Sequence, residues 1–233
     1  MSGERRAELA ANLEVVRERI ARACDAAGRD PGDLTLIAVT KFFPASDVDL
    51  LADLGITAIG ENRDQEVSAK LLEVRDRDRL EVHFIGQVQS KKAGSVVGYA
   101  DVVQSVDRPK LVTALDRAAG TAGKVADVLV QVNLDEASGR GGVAPSGAQG
   151  LSDLVAATDH LRLRGVMAVA PLGADPAPAF ARLQELARAI REEHAGAGWV
   201  SAGMSGDLEA AVAHGATHLR VGSAILGTRQ SHR

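Results

Sequence analysis

One lysine of the chain has a sequence context in which an amine could do chemistry. Lys41 follows the apolar run Leu34–Val39 by two residues, and Phe42, Phe43 and Pro44 come directly after it. Apolar surroundings lower the pKa of an amine, and an unprotonated amine can attack an aldehyde to form an imine. Lysines at strand ends are also common as ordinary solvated charges. Lys41 alone leaves both interpretations open, and its role depends on its neighbours in the fold.

Two turns near the end of the chain have the composition that a phosphate group requires. Ser201–Asp207 follows one apolar run and Arg220–Gly227 closes the last one, and both combine glycine with serine. A phosphate dianion needs backbone N–H donors at close range, and glycine lets the backbone approach. Glycine and serine also cluster in turns that bind nothing. The phosphate interpretation gives four candidate ligands: Ser201, Ser205, Gly222 and Ser223.

An arginine stands inside the last apolar run, in alternation with aliphatic residues. Arg220 shares one face of the expected strand with His218, whereas Leu219 and Val221 share the other. An arginine that points into a barrel must have a partner. That partner is either a carboxylate or an acceptor such as the pyridine nitrogen of pyridoxal phosphate. Because arginine keeps its proton, the second arrangement would leave the ring nitrogen unprotonated and the ring a poor electron sink.

The surrounding pattern predicts how these residues are positioned. Eight short apolar runs alternate with helical patterns, and such alternation favours parallel strands in a closed (β/α)8 TIM-type barrel of the α/β class, with an open doubly wound sheet as the alternative. The runs are Leu34–Val39, Ile56–Gly60, Glu81–Gly86, Asp101–Val106, Val125–Leu134, Leu161–Val169, Gly198–Met204 and Thr217–Gly222. The helical patterns include Asp47–Leu54, Arg63–Val74, Pro109–Ala119, Gln149–Thr158 and Pro178–His194. In a barrel the loops after strands gather on one face, so the candidate residues meet there.

The start of the chain predicts an additional helix. Leu9, Leu13, Val16 and Ile20 recur at helical spacing, and Gly28 marks the end of the pattern. We expect residues 1–28 to pack on the barrel and the whole chain, 1–233, to form one domain.

Composition excludes several classes of function. The formal net charge is −4 and aromatic residues make up 3% of the chain, which argues against nucleic acid as a partner. The single cysteine, Cys24, cannot form an internal disulfide and is expected as a packed thiol. No apolar run is long enough to cross a bilayer and the N-terminus has no signal-like apolar segment, so we expect a cytoplasmic protein without membrane contact.

The histidines give no indication of a metal site. They lack ligand spacing to cysteine or carboxylates. His83 is expected to be a packed or supporting histidine. If it acts as a base, Glu61 or Glu66 is the carboxylate expected to orient it.

Six motifs occur in order over nearly the whole chain and carry a family resemblance. They are AVTKFFP (Ala38–Pro44), IGENRDQE (Ile59–Glu66), HFIGQVQSKK (His83–Lys92), GVMAVAP (Gly165–Pro171), SAGMSGD (Ser201–Asp207) and RVGSAILG (Arg220–Gly227). Together they resemble the pyridoxal phosphate homeostasis protein family, which is similar to the N-terminal barrel domain of alanine racemase. The resemblance implies that pyridoxal phosphate is held as a Schiff base on Lys41 with Arg220 at the pyridine nitrogen. It further implies that Asn62, Met167 and Met204 line the pocket and that the four turn residues hold the phosphate.

Three positions depart from the family pattern. Lys91 and Lys92 stand where the family has Asn-Lys, Ala202 replaces a methionine, and Gly139 replaces a lysine, with Arg140 beside it. None of these departures touches Lys41, Arg220 or the phosphate set.

Two functions share these binding residues. The resemblance implies a non-catalytic protein that stores or buffers pyridoxal phosphate or delivers it to apo enzymes, and we expect it to be a monomer. The alternative is a pyridoxal-phosphate-dependent amino-acid racemase. Racemisation needs acid/base groups on both faces of the substrate, which alanine racemase obtains with a further domain and a partner subunit. With Lys41 as the single base and Arg220 restraining the ring, the sequence favours the carrier, with no more than weak racemase activity.

Overall fold

A closed barrel of eight parallel strands forms the centre of the protein. The computed structural model describes residues 2–135 and 141–227. The strands pair in sequential order, and the first strand also pairs with the last, Ile37 opposite Arg220. They are β1 Thr35–Val39, β2 Ala58–Glu61, β3 Glu81–Phe84, β4 Val102–Val106, β5 Ala126–Asn133, β6 Leu161–Val169, β7 Trp199–Ser201 and β8 His218–Val221. This closure confirms the predicted barrel and excludes the open doubly wound sheet.

Helices cover the outside of the barrel. They are α1 Ser2–Ala27, α2 Ala45–Asp53, α3 Asp64–Glu73, α4 Ala93–Tyr99, α5 Pro109–Thr121, α6 Ala148–Ala156, α7 Pro176–Glu193, α8 Leu208–Ala213 and α9 Ser223–Leu226. The predicted N-terminal helix is confirmed as α1, which lies against α8 and α9. None of the helices in the two described ranges is long and apolar enough to span a membrane.

The apolar stripe of α1 is part of the main core. Leu9, Leu13 and Val16 are buried in the layer between the strands and the surrounding helices, together with Leu219 and Val221. Cys24 is also buried in this layer, as expected for a packed thiol. The outward face of β8 and the inward face of α1 therefore belong to one hydrophobic layer.

The barrel interior combines a small apolar cluster with polar side chains. Val102, Leu129 and Met167 form the cluster, and Trp199 packs against it. Gln104 and Arg220 are also buried inside. The polar Gln104 makes the fourth apolar run weak as a sequence pattern, although every residue of β4 is buried.

Strand β7 is shorter than its sequence pattern. The prediction covered Gly198–Met204, whereas the strand is Trp199–Ser201. Gly203 has φ +87, a left-handed backbone conformation that ends an extended strand. A Cβ at this glycine would lie 2.6 Å from the Ala211 Cβ and 2.9 Å from a Leu219 methyl group. The turn after β7 thus packs tightly on α8 and β8.

Candidate cofactor-binding site

Lys41 lies in a sharply constrained turn at the C-terminal end of β1. The Phe43 N–H donates to the Thr40 carbonyl at 3.0 Å and closes the turn around Lys41. Phe42 has φ +69, a backbone conformation that residues other than glycine rarely adopt. The Arg63 guanidinium lies 4.6 Å from the centre of the Phe42 ring. Strained backbone of this kind persists where the surrounding structure enforces it, and it is concentrated at functional sites.

A buried ion pair between Lys70 and Glu61 supports this turn. Lys70 Nζ donates to Glu61 Oε1 at 2.6 Å and to the Thr40 carbonyl at 2.8 Å. The Thr40 hydroxyl donates to the same Glu61 oxygen at 2.6 Å. The Glu61 side chain is 1% exposed and that of Lys70 is 9% exposed, so the pair is shielded from solvent. Its hydrogen bonds fix the peptide that precedes Lys41.

Arg220 is buried in the barrel interior and forms no ion pair with a carboxylate among the described residues. Its Nη1 donates to Ser201 Oγ at 2.7 Å and its Nη2 to the Ala168 carbonyl at 2.8 Å. Burial lowers its pKa to about 10, and the charge of the Asp207 carboxylate, which is not within ion-pair distance, offsets part of this decrease. The guanidinium therefore stays charged at neutral pH. A buried cation with spare N–H groups calls for a further acceptor, and a ring nitrogen supplies one.

The two serine turns meet on the C-terminal face of the barrel. The Ser223 hydroxyl donates to Ser205 Oγ at 3.2 Å, and the Ala224 N–H approaches the same oxygen at 3.3 Å. Gly222 lies directly against Val39, since a Cβ there would be 3.3 Å from both the Val39 Cβ and its carbonyl oxygen. Two hydroxyls and exposed backbone thus converge beside the end of β1, which leads to Lys41.

The remaining predicted residues fall into different environments. Asn62 follows β2, and its Oδ1 atom is buried and has no donor within the part of the chain that is described. Met204 is half-buried in the turn after β7. Met167 belongs to the apolar cluster inside the barrel.

The Ser201 hydroxyl is buried, where it accepts a hydrogen bond from Arg220 and donates one to Gln104. The structure therefore brings Lys41, Ser205, Gly222 and Ser223 to one face, with Ser201 and Arg220 inside.

His83 is a fully buried histidine, but its partners differ from those expected. Its Nε2 lies 2.7 Å from Glu81 Oε2, and its Nδ1 lies 2.9 Å from Gln104 Nε2. The hydrogen bond from His83 lowers the pKa of the Glu81 carboxyl. Glu61 and Glu66 were the wrong carboxylates, because Glu61 pairs with Lys70 and Glu66 with Arg63. Glu81 lies two positions before His83 on the same face of β3, so alternation along the strand, and not the neighbouring loop, identifies the carboxylate.

The departures from the family pattern are accommodated in different ways. Lys92 forms an ion pair with Asp64 at 3.1 Å, and Lys91 is exposed. Ala202 is buried. Gly139 and Arg140 lie outside the described residues. No group of acidic, histidine or cysteine side chains in the described ranges could hold a metal ion.

Comparison with known proteins agrees with this architecture. The family model for the alanine racemase N-terminal domain matches residues 6–230. The pyridoxal phosphate homeostasis protein of Mycobacterium tuberculosis is 42% identical over 245 residues, covering 97% of this chain and 95% of the relative. The chain belongs to the pyridoxal phosphate homeostasis protein family. The Escherichia coli member of this family is 35% identical over 233 residues, with 95% of this chain and 97% of the relative covered.

Solved structures extend the family comparison. PipY of Synechococcus elongatus, solved with PLP bound, is 32% identical with a TM-score of 0.83, and the match covers 94% of this chain and 100% of PipY. Alanine racemase of Corynebacterium glutamicum is 15% identical with a TM-score of 0.74, and the match covers 97% of this chain and 62% of the racemase. The racemase thus shares the barrel fold with this member of the homeostasis family, whereas PipY is similar over its whole length.

Proposed function

We propose that this protein binds pyridoxal 5'-phosphate as a Schiff base on Lys41 and serves intracellular homeostasis of the cofactor by storage, buffering or delivery. The observation that carries the proposal is Arg220, a buried cation that forms no ion pair with a carboxylate among the described residues. A pyridine nitrogen satisfies this cation without adding a buried negative charge. The PLP-bound structure of PipY, a relative of similar length, supports the same ligand.

Each residue of the site has a distinct task in this proposal. Lys41 supplies the amine, and Ser205, Gly222 and Ser223 surround the phosphate with hydroxyl and backbone donors. When bound, the cofactor supplies an aldehyde and a pyridine ring. Arg220 donates to the ring nitrogen.

The surroundings of the other predicted cofactor-binding residues suggest a more specific role for each. The buried Asn62 Oδ1 is an acceptor that still needs a donor within the described part of the chain, and Met204 lines the edge of the pocket. The Ser201 hydroxyl also holds Arg220 by accepting from its guanidinium, and its contact with phosphate stays a prediction. Met167 serves the apolar core of the barrel.

Arg220 also favours holding the cofactor over turning over a substrate. An arginine with a pKa near 10 retains its proton at neutral pH, so the ring nitrogen beside it stays unprotonated. An unprotonated ring withdraws electrons weakly and stabilises a substrate carbanion poorly. This weak electron withdrawal favours a role in cofactor homeostasis over racemisation. In this role, apo pyridoxal-phosphate enzymes are the recipients of the cofactor.

Binding is tested by titrating the purified protein with pyridoxal phosphate. We expect an imine absorption band in the wild type and in Lys110→Ala, which removes an exposed lysine on α5. We expect no such band in Lys41→Ala. A protein that stays colourless with added cofactor contradicts the proposal.

Delivery is tested by mixing the loaded protein with an apo pyridoxal-phosphate enzyme and following the recovered activity. Free cofactor at the same concentration is the control. Recovery that matches or exceeds the control supports a buffering or carrier role. Rapid racemisation of alanine or another amino acid by the loaded protein instead identifies an enzyme.

A further inference from the structure

A continuous chain of hydrogen bonds crosses the barrel interior from Arg220 to Glu81. Arg220 Nη1 contacts Ser201 Oγ at 2.7 Å, and Ser201 Oγ contacts Gln104 Oε1 at 2.7 Å. Gln104 Nε2 contacts His83 Nδ1 at 2.9 Å, and His83 Nε2 contacts Glu81 Oε2 at 2.7 Å. The three middle residues are fully buried. Four strands, β8, β7, β4 and β3, each contribute to this chain.

The direction of every bond in the chain is fixed by its two ends. Arg220 can only donate, so the Ser201 hydroxyl accepts from it and donates to Gln104 Oε1. A carboxylate oxygen accepts, so Glu81 accepts from His83 Nε2, which carries the proton, and this hydrogen bond lowers the pKa of the Glu81 carboxyl. His83 Nδ1 then accepts from the Gln104 amide. One amide orientation and one histidine tautomer satisfy all four bonds at once.

This fixed direction explains how Arg220 is held. An arginine side chain has several rotatable bonds, and a serine hydroxyl can turn away from a donor unless its own proton is engaged. Gln104 engages that proton, and His83 fixes the Gln104 amide by taking its N–H. Without them, Ser201 loses its fixed orientation toward the guanidinium.

We propose that Gln104 and His83 are positioning residues that hold Arg220 against the pyridine nitrogen of bound pyridoxal phosphate. The inference rests on the proposed function, since it assigns these side chains to the retention of that cofactor. Neither residue contacts the cofactor. They act through Ser201 and Arg220. Their loss is therefore expected to reduce retention of the cofactor, whereas loss of an ordinary buried polar pair reduces only folding stability.

The first test compares Gln104→Leu with Ser105→Ala. Ser105 is the next residue of β4, is fully buried, and its hydroxyl has no partner within the described residues, so Ser105→Ala is a matched control. Loss of a hydrogen bond that supports a charged group corresponds to about a tenfold loss of affinity. We expect Gln104→Leu to release pyridoxal phosphate about tenfold faster and to shift its absorption maximum, whereas Ser105→Ala matches the wild type. Ser201→Ala, which removes a hydroxyl only, is expected to reproduce the loss and serves if Gln104→Leu does not fold.

A second comparison separates positioning from packing. Gln104→Glu keeps an acceptor for Ser201 but buries a carboxylate, which costs folding stability more than leucine does. We therefore expect Gln104→Glu to be the less stable of the two variants and yet to retain the cofactor better. A packing role predicts that retention follows stability.

A double-mutant cycle tests whether Gln104 acts through Arg220. In an Arg220→Lys background, Gln104→Leu is expected to cause little further loss of cofactor. If the wild type binds the cofactor while Gln104→Leu releases it at the wild-type rate, or if the loss is undiminished in the Arg220→Lys background, the positioning role is overturned. Failure of the wild type itself to bind overturns the proposed function instead.

Discussion

Two cations with opposite environments define the site at the scale of single residues. Lys41 is half-buried in the turn after β1. Arg220 lies inside the barrel at 4% exposure and is held by Ser201 and the Ala168 carbonyl. In the proposed function the half-buried lysine forms the Schiff base, and the enclosed guanidinium donates a fixed hydrogen bond to the ring. The two cations therefore have separate roles in the proposed site: Lys41 binds the cofactor covalently and Arg220 fixes the position of its ring.

His218, which shares the inner face of β8 with Arg220, predicts a pH-dependent stability. Its ring centre lies 4.3 Å from that of Trp199, and burial lowers its pKa from 6.5 to about 4. The unfolded chain therefore binds more protons than the folded protein between these two values, so stability falls as the pH falls through this window. The loss amounts to about 3 kcal/mol.

Urea unfolding at pH 7 and near pH 4 measures this effect. His218→Gln keeps a polar group next to Thr217 but removes the titration, so its stability is expected to depend less on pH over this range. An unchanged pH dependence in this variant would contradict the assignment to His218.

The sequence predicts the residues whose roles are local and misses those whose partners are distant. Alternation along one strand was enough to predict that Arg220 points inward. Gln104 gave no such signal, because its partner Ser201 is 97 positions away and the two meet only when the barrel closes. Lys70 was likewise missed, since its contacts with Glu61 and Thr40 depend on how α3 packs on the strands.

Helix α1 supports both phosphate-suited turns at the scale of elements. Arg19 donates to the Ser205 carbonyl at 3.0 Å and forms a two-pronged ion pair with Glu209 at 2.8 and 2.9 Å. Asn12 donates to the Ile225 carbonyl at 2.9 Å. The helix therefore fixes the turn after β7 and the turn after β8 relative to each other.

Arg19→Met is expected to weaken pyridoxal phosphate binding without abolishing folding. Loss of its bonds frees the Ser205 turn, and the expected decrease in affinity is on the order of fivefold. Arg22→Met, on the same helix, removes an exposed arginine that forms an ion pair with Glu18 one turn away at 3.6 Å and serves as the control. Equal affinities for the two variants, measured by cofactor titration, would contradict a supporting role for α1.

The turn after β7 offers a matched pair of glycines. Gly203 has φ +87 and no room for a Cβ, whereas Gly206 has open space around the corresponding position. Gly203→Ala is expected to destabilise the protein by about 2 kcal/mol or more, and Gly206→Ala by less than about 1 kcal/mol. Thermal unfolding of the two variants measures the difference, and a Gly203→Ala protein as stable as the wild type would contradict the packing of this turn.

Element order was predictable from alternation, whereas several boundaries were not. The sequence predicted β7 through Met204, but the strand ends at Ser201, before the left-handed backbone conformation of Gly203. The short helices α4, α8 and α9 carry too few residues for a clear helical period. Their formation depends on packing against neighbouring elements rather than on their own sequence.

Barrel closure assembles the site at the scale of the whole molecule. Pairing of β1 with β8 places the Lys41 turn next to Gly222, although 181 positions separate them in the sequence. The same closure aligns the inner side chains of β3, β4, β7 and β8 into the chain that ends at Arg220. A site divided between the two ends of the sequence thus depends on the integrity of the complete barrel.

In the proposed function Lys41 carries pyridoxal phosphate. Borohydride reduction of the loaded protein, followed by proteolysis and mass spectrometry, identifies the modified lysine. We expect the reduced cofactor on the peptide that contains Lys41 and none on Lys70, which is buried in its ion pair with Glu61. Modification of another lysine while Lys41 stays unmodified would contradict the account.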